Sequence, residues 1–159
     1  MTHPPESDRV EITRVLNDYA RGVDDGDWGR VLACYHGDAV DDHGVYRGGP
    51  DGLVRHFAEQ LVAFAGTLHL LGAPDLDAVG PDEVTARTAC LALHWREPGS
   101  SERHLVMVAD YDDRLTRRDG AWRIAERTVR VRHAEELAVA PEIWPLAHLF
   151  ASADRGDSR

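Results

Sequence analysis

The hydrophobic period of this chain changes from helical to strand-like at Gly66, and that change limits the folds open to it. Before Gly66 apolar residues recur at helical spacing; after it they alternate in long runs separated by turn signals. Ile12, Val15, Leu16, Tyr19, Ala20 and Val23 form the stripe of a first helix, which Asp8 and Glu11 would open as a capping box. Gly22 and the cluster Asp24-Asp25-Gly26-Asp27 end it and cap a second helix, with Trp28, Val31, Leu32 and Tyr35 as its buried stripe. A turn-rich stretch from Ala39 to Arg47 suits a small hairpin, and Pro50 opens a third helix with Leu53, Phe57, Leu61 and Phe64 on one face. Strands are expected over about Thr67 to Val79, Glu83 to Arg96 and Glu102 to Arg117. A fourth follows the Asp119-Gly120 turn as far as about His133. Helices first and an antiparallel meander afterwards define an α+β architecture. With the helices held to one side, such strands curl into an open cone whose concave face can hold an apolar pocket. The stretch from Pro141 to Ala151 reads as a last amphipathic helix that covers an opening or packs on a neighbouring subunit.

A single domain over residues 1–159 is expected, because 43% apolar content can bury a core without metal or disulfide help. A net charge of −10 without a basic cluster argues against nucleic acid and anionic membrane surfaces as partners. All 18 basic residues are arginine, so a Schiff-base lysine and a P-loop are excluded. Two cysteines, Cys34 and Cys90, are too few for a disulfide framework or a zinc site. Without a signal peptide or a membrane-length apolar run, the chain reads as cytoplasmic, and its arginine and alanine richness resembles that of a GC-rich bacterium.

Side-chain parity sharpens the pocket. On the second long strand Val84, Ala86, Thr88, Cys90, Ala92 and His94 share one face, small groups that end in a histidine and leave room for a ligand. On the last strand Ala125, Arg127, Val129, Val131 and His133 form the apolar side, and a guanidinium there needs an anionic or carbonyl partner. Tyr19 and Asp24 lie where the first helix runs out, and His69 sits between Leu68 and Leu70. Each has an ordinary explanation as well: Asp24 as a helix-end cap, His69 as a core histidine, Tyr19 as a core tyrosine. Asp41, Asp42 and His43 carry metal-ligand chemistry, but adjacent strand residues alternate faces, so Asp42 and His43 do not share an ion and no metal site is expected.

The pattern Tyr19-x4-Asp24, Gly26-Asp27-Trp28, Tyr35-His36-Gly37-Asp38-Ala39-Val40, Thr67-x-His69, Tyr111-Asp112-Asp113-Arg114 and Arg118 to Ile124 before Arg127 resembles the SnoaL-like branch of the NTF2-like superfamily. The match spans about residues 8 to 133 and looks most like the group of scytalone dehydratase, bile-acid 7α-dehydratase and hexachlorocyclohexane dehydrochlorinase. The resemblance implies an NTF2-like cone, a curved antiparallel sheet with N-terminal helices over its concave face, and a lyase without a cofactor. It implies that Asp24 and His69 are a proton-abstracting dyad, that Tyr19 stands where a dehydratase has its catalytic tyrosine, and that Arg127 is a pocket arginine. A homodimer or homotrimer is the usual assembly in this group.

These readings converge on a lyase or isomerase for a small, apolar, cyclic or polyketide-like metabolite. His69, oriented by Asp24, would take the proton; Tyr19 would stabilise the oxygen that gains charge; Arg127, Tyr46 and His94 would contact substrate, Arg127 alternatively serving as a structural pair with an acidic neighbour. The alternatives are a cyclase that closes an oxygen or carbon ring and a non-catalytic ligand-binding subunit that keeps the cone for its shape.

Overall fold

The computed structural model describes residues 2–96 and 103–138. Three helices come first, α1 (Glu6–Asp25), α2 (Trp28–Ala33) and α3 (Pro50–Leu61), with β1 (Tyr35–Asp42) and β2 (Arg47–Gly48) between the second and third. The strands β3 (Gly66–Leu71), β4 (Asp75–Gly80), β5 (Glu83–Trp95), β6 (Arg103–Arg118) and β7 (Ala121–Ala138) complete the described chain. They form one sheet in the order β2-β1-β7-β6-β5-β3, with β4 also paired to β5. All pairings are antiparallel except that of β1 with β7. The expected α+β class is the observed one, an open, curved sheet with the helices on one face. The segment 141–151, expected to be helical, lies outside the described residues. Among the described residues no helix is long and apolar enough to cross a membrane.

Several boundaries differ from expectation for local reasons. Asp8 does not cap α1, whose N-cap is Pro5; it lies in the first turn and accepts from Arg117 Nη1 at 2.8 Å. Tyr35 opens β1 rather than closing α2. The stretch read as one strand from Thr67 to Val79 is two, because Gly72-Ala73-Pro74 interrupts the ladder and proline has no N–H to give it. The two pieces pair with different ends of β5, Leu71 opposite Cys90 and Asp75 opposite Arg87.

The face predicted for β5 is the buried one: Val84, Ala86, Thr88, Cys90, Ala92 and His94 all point inward. On β7 two irregularities rotate the strand. Leu115 pairs with Ile124 while Arg114 pairs with Glu126, so Ala125 is an extra residue, and Ile124 and Ala125 are both buried. A second shift skips Arg132 and carries His133 out to solvent, off the apolar face expected for it. Bulges of this kind raise the local twist and bend the sheet away from flatness.

The core lies between the helices and the inner sheet face, with Ile12, Leu16, Val31, Leu53, Leu115 and Ile124 essentially inaccessible. At the corner between α1 and α2, Gly26 takes φ 66°, the left-handed conformation that ends a helix cheaply in glycine. Gly22 permits a close crossing there, because a Cβ would meet Val31 Cγ2 at 2.8 Å. This corner fixes the end of α1, and with it Asp24.

Candidate active site

Asp24 leaves the last turn of α1 towards β3 and engages one residue twice. Its Oδ2 accepts the backbone N–H of His69 at 2.9 Å, and its Oδ1 lies 2.6 Å from His69 Nδ1. A carboxylate accepts only, so Nδ1 carries a proton, and in the neutral ring Nε2 keeps its lone pair. The imidazole lines a cavity of about 580 Å³ between the helices and the sheet, whereas Asp24 is not among the lining residues. Asp24 therefore stands behind the ring and aims its free nitrogen inward. Both side chains are largely shielded, at 10% and 14% exposure, which strengthens the contact between them.

The wall around this nitrogen is mostly apolar. Phe57, Leu61, Phe64, Leu105, Met107 and Val129 supply hydrocarbon surface, while Cys90 and Ala92 on β5 leave the space itself. A volume of this order suits a compact organic molecule of one to a few rings. His94 stands beside His69, its ring centroid 5.7 Å away and nearly perpendicular. Burial, helped by the neighbouring His69, pushes the His94 imidazole down to about 4. It is neutral at pH 7 and presents a hydrogen-bonding group without charge.

Tyr19, 1% exposed, also lines the cavity. Burial raises its phenol well above the ordinary value against the opposing pull of the Arg127 guanidinium. The hydroxyl thus keeps its proton at any working pH and is a donor. It lies 3.3 Å from Nε2 of His43, whose Nδ1 is hydrogen-bonded to Asp41. Asp41 is wholly buried and its other oxygen accepts from Tyr35 Oη at 2.6 Å. This second acid–imidazole pair was not foreseen. The signal for it was spacing: Asp42 and His43 alternate faces, but Asp41 and His43, two residues apart, share one.

Two residues expected to contact substrate do not line the cavity. Arg127 is 1% exposed and donates to both oxygens of Asp113, at 2.6 and 2.8 Å. Its guanidinium is stacked 4.1 Å from the Tyr19 ring centroid and 4.6 Å from that of Tyr111. It is the structural alternative, a core cation: burial works against its charge, and the Asp113 carboxylate more than offsets that and holds its proton more tightly, with the tyrosine faces stacked against it. Tyr46 donates to the Gly49 carbonyl at 2.7 Å and stacks on His56, fastening the turn into α3. Among the described residues no three histidine, cysteine, aspartate or glutamate side chains converge in a way that would hold a metal ion.

A cone of helices and curved sheet around an apolar hollow is the NTF2-like type of α+β architecture. Within it the chain belongs to the family of SnoaL-like domains, whose model matches residues 6–128. None of the curated proteins matches the sequence. Among solved structures, the chain is similar to a hexachlorocyclohexane dehydrochlorinase, LinA-type3, from Novosphingobium barchaimii, at 23% identity and a TM-score of 0.76 over 87% of this chain and 96% of that one. It is similar to a putative scytalone dehydratase from Novosphingobium aromaticivorans, at 20% identity and 0.74 over 84% and 90%. A protein of unknown function with a cystatin-like fold from Nostoc punctiforme matches at 20% and 0.68 over 82% and 95%. At these identities the likeness is one of fold.

Proposed function

We propose that this protein is a cofactor-independent lyase or isomerase that removes a proton from carbon next to a carbonyl in a small, largely apolar, ring-containing metabolite. The observation that carries this reading is the double engagement of His69 by Asp24, which fixes both the position and the tautomer of an imidazole facing a hydrocarbon-lined cavity. His69 Nε2 takes the proton, and the carboxylate behind it offsets the charge of the imidazolium that forms. His94, uncharged, donates to the carbonyl oxygen as it becomes an enolate, a use of a neutral imidazole that avoids burying a second cation. Where a hydroxyl sits beta to the new carbanion, water is lost, and the Tyr19 hydroxyl supplies the proton that the departing oxygen needs. The dehydratase and dehydrochlorinase names among the similar structures support an elimination of this kind. A homodimer or homotrimer accompanies the proposal.

The test uses 1-indanone, a bicyclic ketone with exchangeable protons beside its carbonyl, in D2O. The wild type is expected to accelerate deuterium incorporation and the H69Q variant to lose about 10²-fold or more of that rate with its fold intact. A wild type no faster than buffer, with 1-indanone shown to bind, would favour a ligand-binding role instead.

A further inference from the structure

We propose that Asp41, His43 and Tyr19 form a second proton-handling chain in the cavity, through which His43 drives the Tyr19 proton onto an oxygen leaving the substrate. The proposal rests on the assignment of His69 as the base and extends it to the other half of the reaction.

Four hydrogen-bonding groups are connected in series: Tyr35 Oη donates to Asp41 Oδ2 at 2.6 Å, Asp41 Oδ1 meets His43 Nδ1, and His43 Nε2 lies 3.3 Å from Tyr19 Oη. Tyr35 and Asp41 do not line the ligand space, whereas His43 and Tyr19 both do. The His43 ring is held edge-on against Phe57, with centroids 5.1 Å apart, so it is fixed in place as His69 is. Among the described residues Asp41, a wholly buried carboxylate, receives no guanidinium hydrogen bond; the nearby Arg127 gives its Nε and Nη2 to Asp113 and leaves Nη1 without a partner. Burying a carboxylate is costly, and a protein that needed only packing there would be as stable or more so with an apolar residue. A carboxylate that instead accepts from one imidazole nitrogen while the other faces a donor tyrosine is an arrangement for moving a proton.

The proton balance closes without any co-reactant. In the loaded state His43 carries protons on both nitrogens, Nδ1–H to Asp41 and Nε2–H to the Tyr19 oxygen. His69 takes the proton from carbon, the C–O bond breaks, and the Tyr19 hydroxyl proton goes to the departing oxygen to make water. The Nε2 proton moves to the Tyr19 oxygen and leaves His43 neutral with Nδ1–H still on Asp41. His69, now protonated, returns one proton to His43 through solvent, and the net change is loss of water and formation of C=C. Tyr19 thus never remains a phenolate, which its burial would strongly disfavour.

Two probes separate this chain from the base. Exchange of 1-indanone in D2O, read by NMR, requires proton abstraction only; elimination of water from 3-hydroxy-1-indanone, read by absorbance, requires both ends. H43Q and the near-isosteric D41N are expected to lower the ratio of elimination to exchange at least about 30-fold, and H69Q to lower both rates together. An unchanged ratio in a folded H43Q protein would overturn the proposal while leaving His69 as the base. Should D41N not fold, H43Q alone decides. Should the wild type act on neither probe, the base reading fails, and nitrogen NMR of the His43 ring judges the chain: a protonated Nδ1 and an Nε2 signal that shifts in Y19F support it, and a signal indifferent to Y19F overturns it.

Discussion

Asp24 holds His69 by ring and by backbone at once, so the carboxylate that orients the imidazole is itself pinned to the edge strand β3. Replacing Asp24 with asparagine keeps the shape but supplies one acceptor oxygen for two N–H donors. D24N is therefore expected to lower 1-indanone exchange by about 10²-fold with little change in KM, since the ligand space is untouched. Steady-state exchange rates and a melting curve on the same preparation check this.

The fate of Arg127 is different. Removing the guanidinium strands a buried carboxylate, so R127M is expected to cost about 3–5 kcal/mol in urea unfolding. The double change R127M/D113L removes both charges and is expected to recover most of that loss. A large activity defect in a stably folded R127M protein would show instead that the guanidinium acts on the ligand.

Gly22 sets the corner that delivers Asp24. A methyl group there meets Val31 Cγ2 at 2.8 Å and the Val31 backbone nitrogen at 3.1 Å, and Val31 is wholly buried. G22A is expected to destabilise the protein by about 1–3 kcal/mol, as overpacking does, and to lower exchange further than its stability alone explains. Denaturation together with exchange measured well below the melting temperature separates the two effects.

His94 makes a prediction about acid. Its folded value of about 4 lies below the ordinary 6.5 of an imidazole, so between these pH values the unfolded chain binds a proton that the folded one refuses. Its contribution therefore destabilises the fold as pH falls through that window, is complete below about 4 and is absent above 6.5. H94Q is expected to flatten the decline of stability between these limits and to leave it unaltered at neutral pH, which urea midpoints across the range will show.

Much of this architecture is legible in the residues because periodicity reports which face is buried. The inward row from Val84 to His94 follows from alternation alone, since β5 has no bulge to disturb it. The alternation misleads on β7, where the extra residues Ala125 and Arg132 shift the register and turn His133 outward. Arg127 stays inward, but its partner is Asp113 across the ladder rather than a ligand, and such a choice depends on packing distances that spacing does not carry. Tyr46 was misplaced for a similar reason: its hydroxyl is taken up by the carbonyl three residues on. The meeting of Asp24 with His69, 45 residues apart, needed the helix corner and the edge strand together, and no local pattern contains it.

The most direct test of the central claim is deuterium exchange of 1-indanone by wild type and H69Q at equal concentration in D2O. The account predicts incorporation well above the buffer rate for the wild type and at the buffer rate for H69Q. Equal rates for the two folded proteins would contradict it.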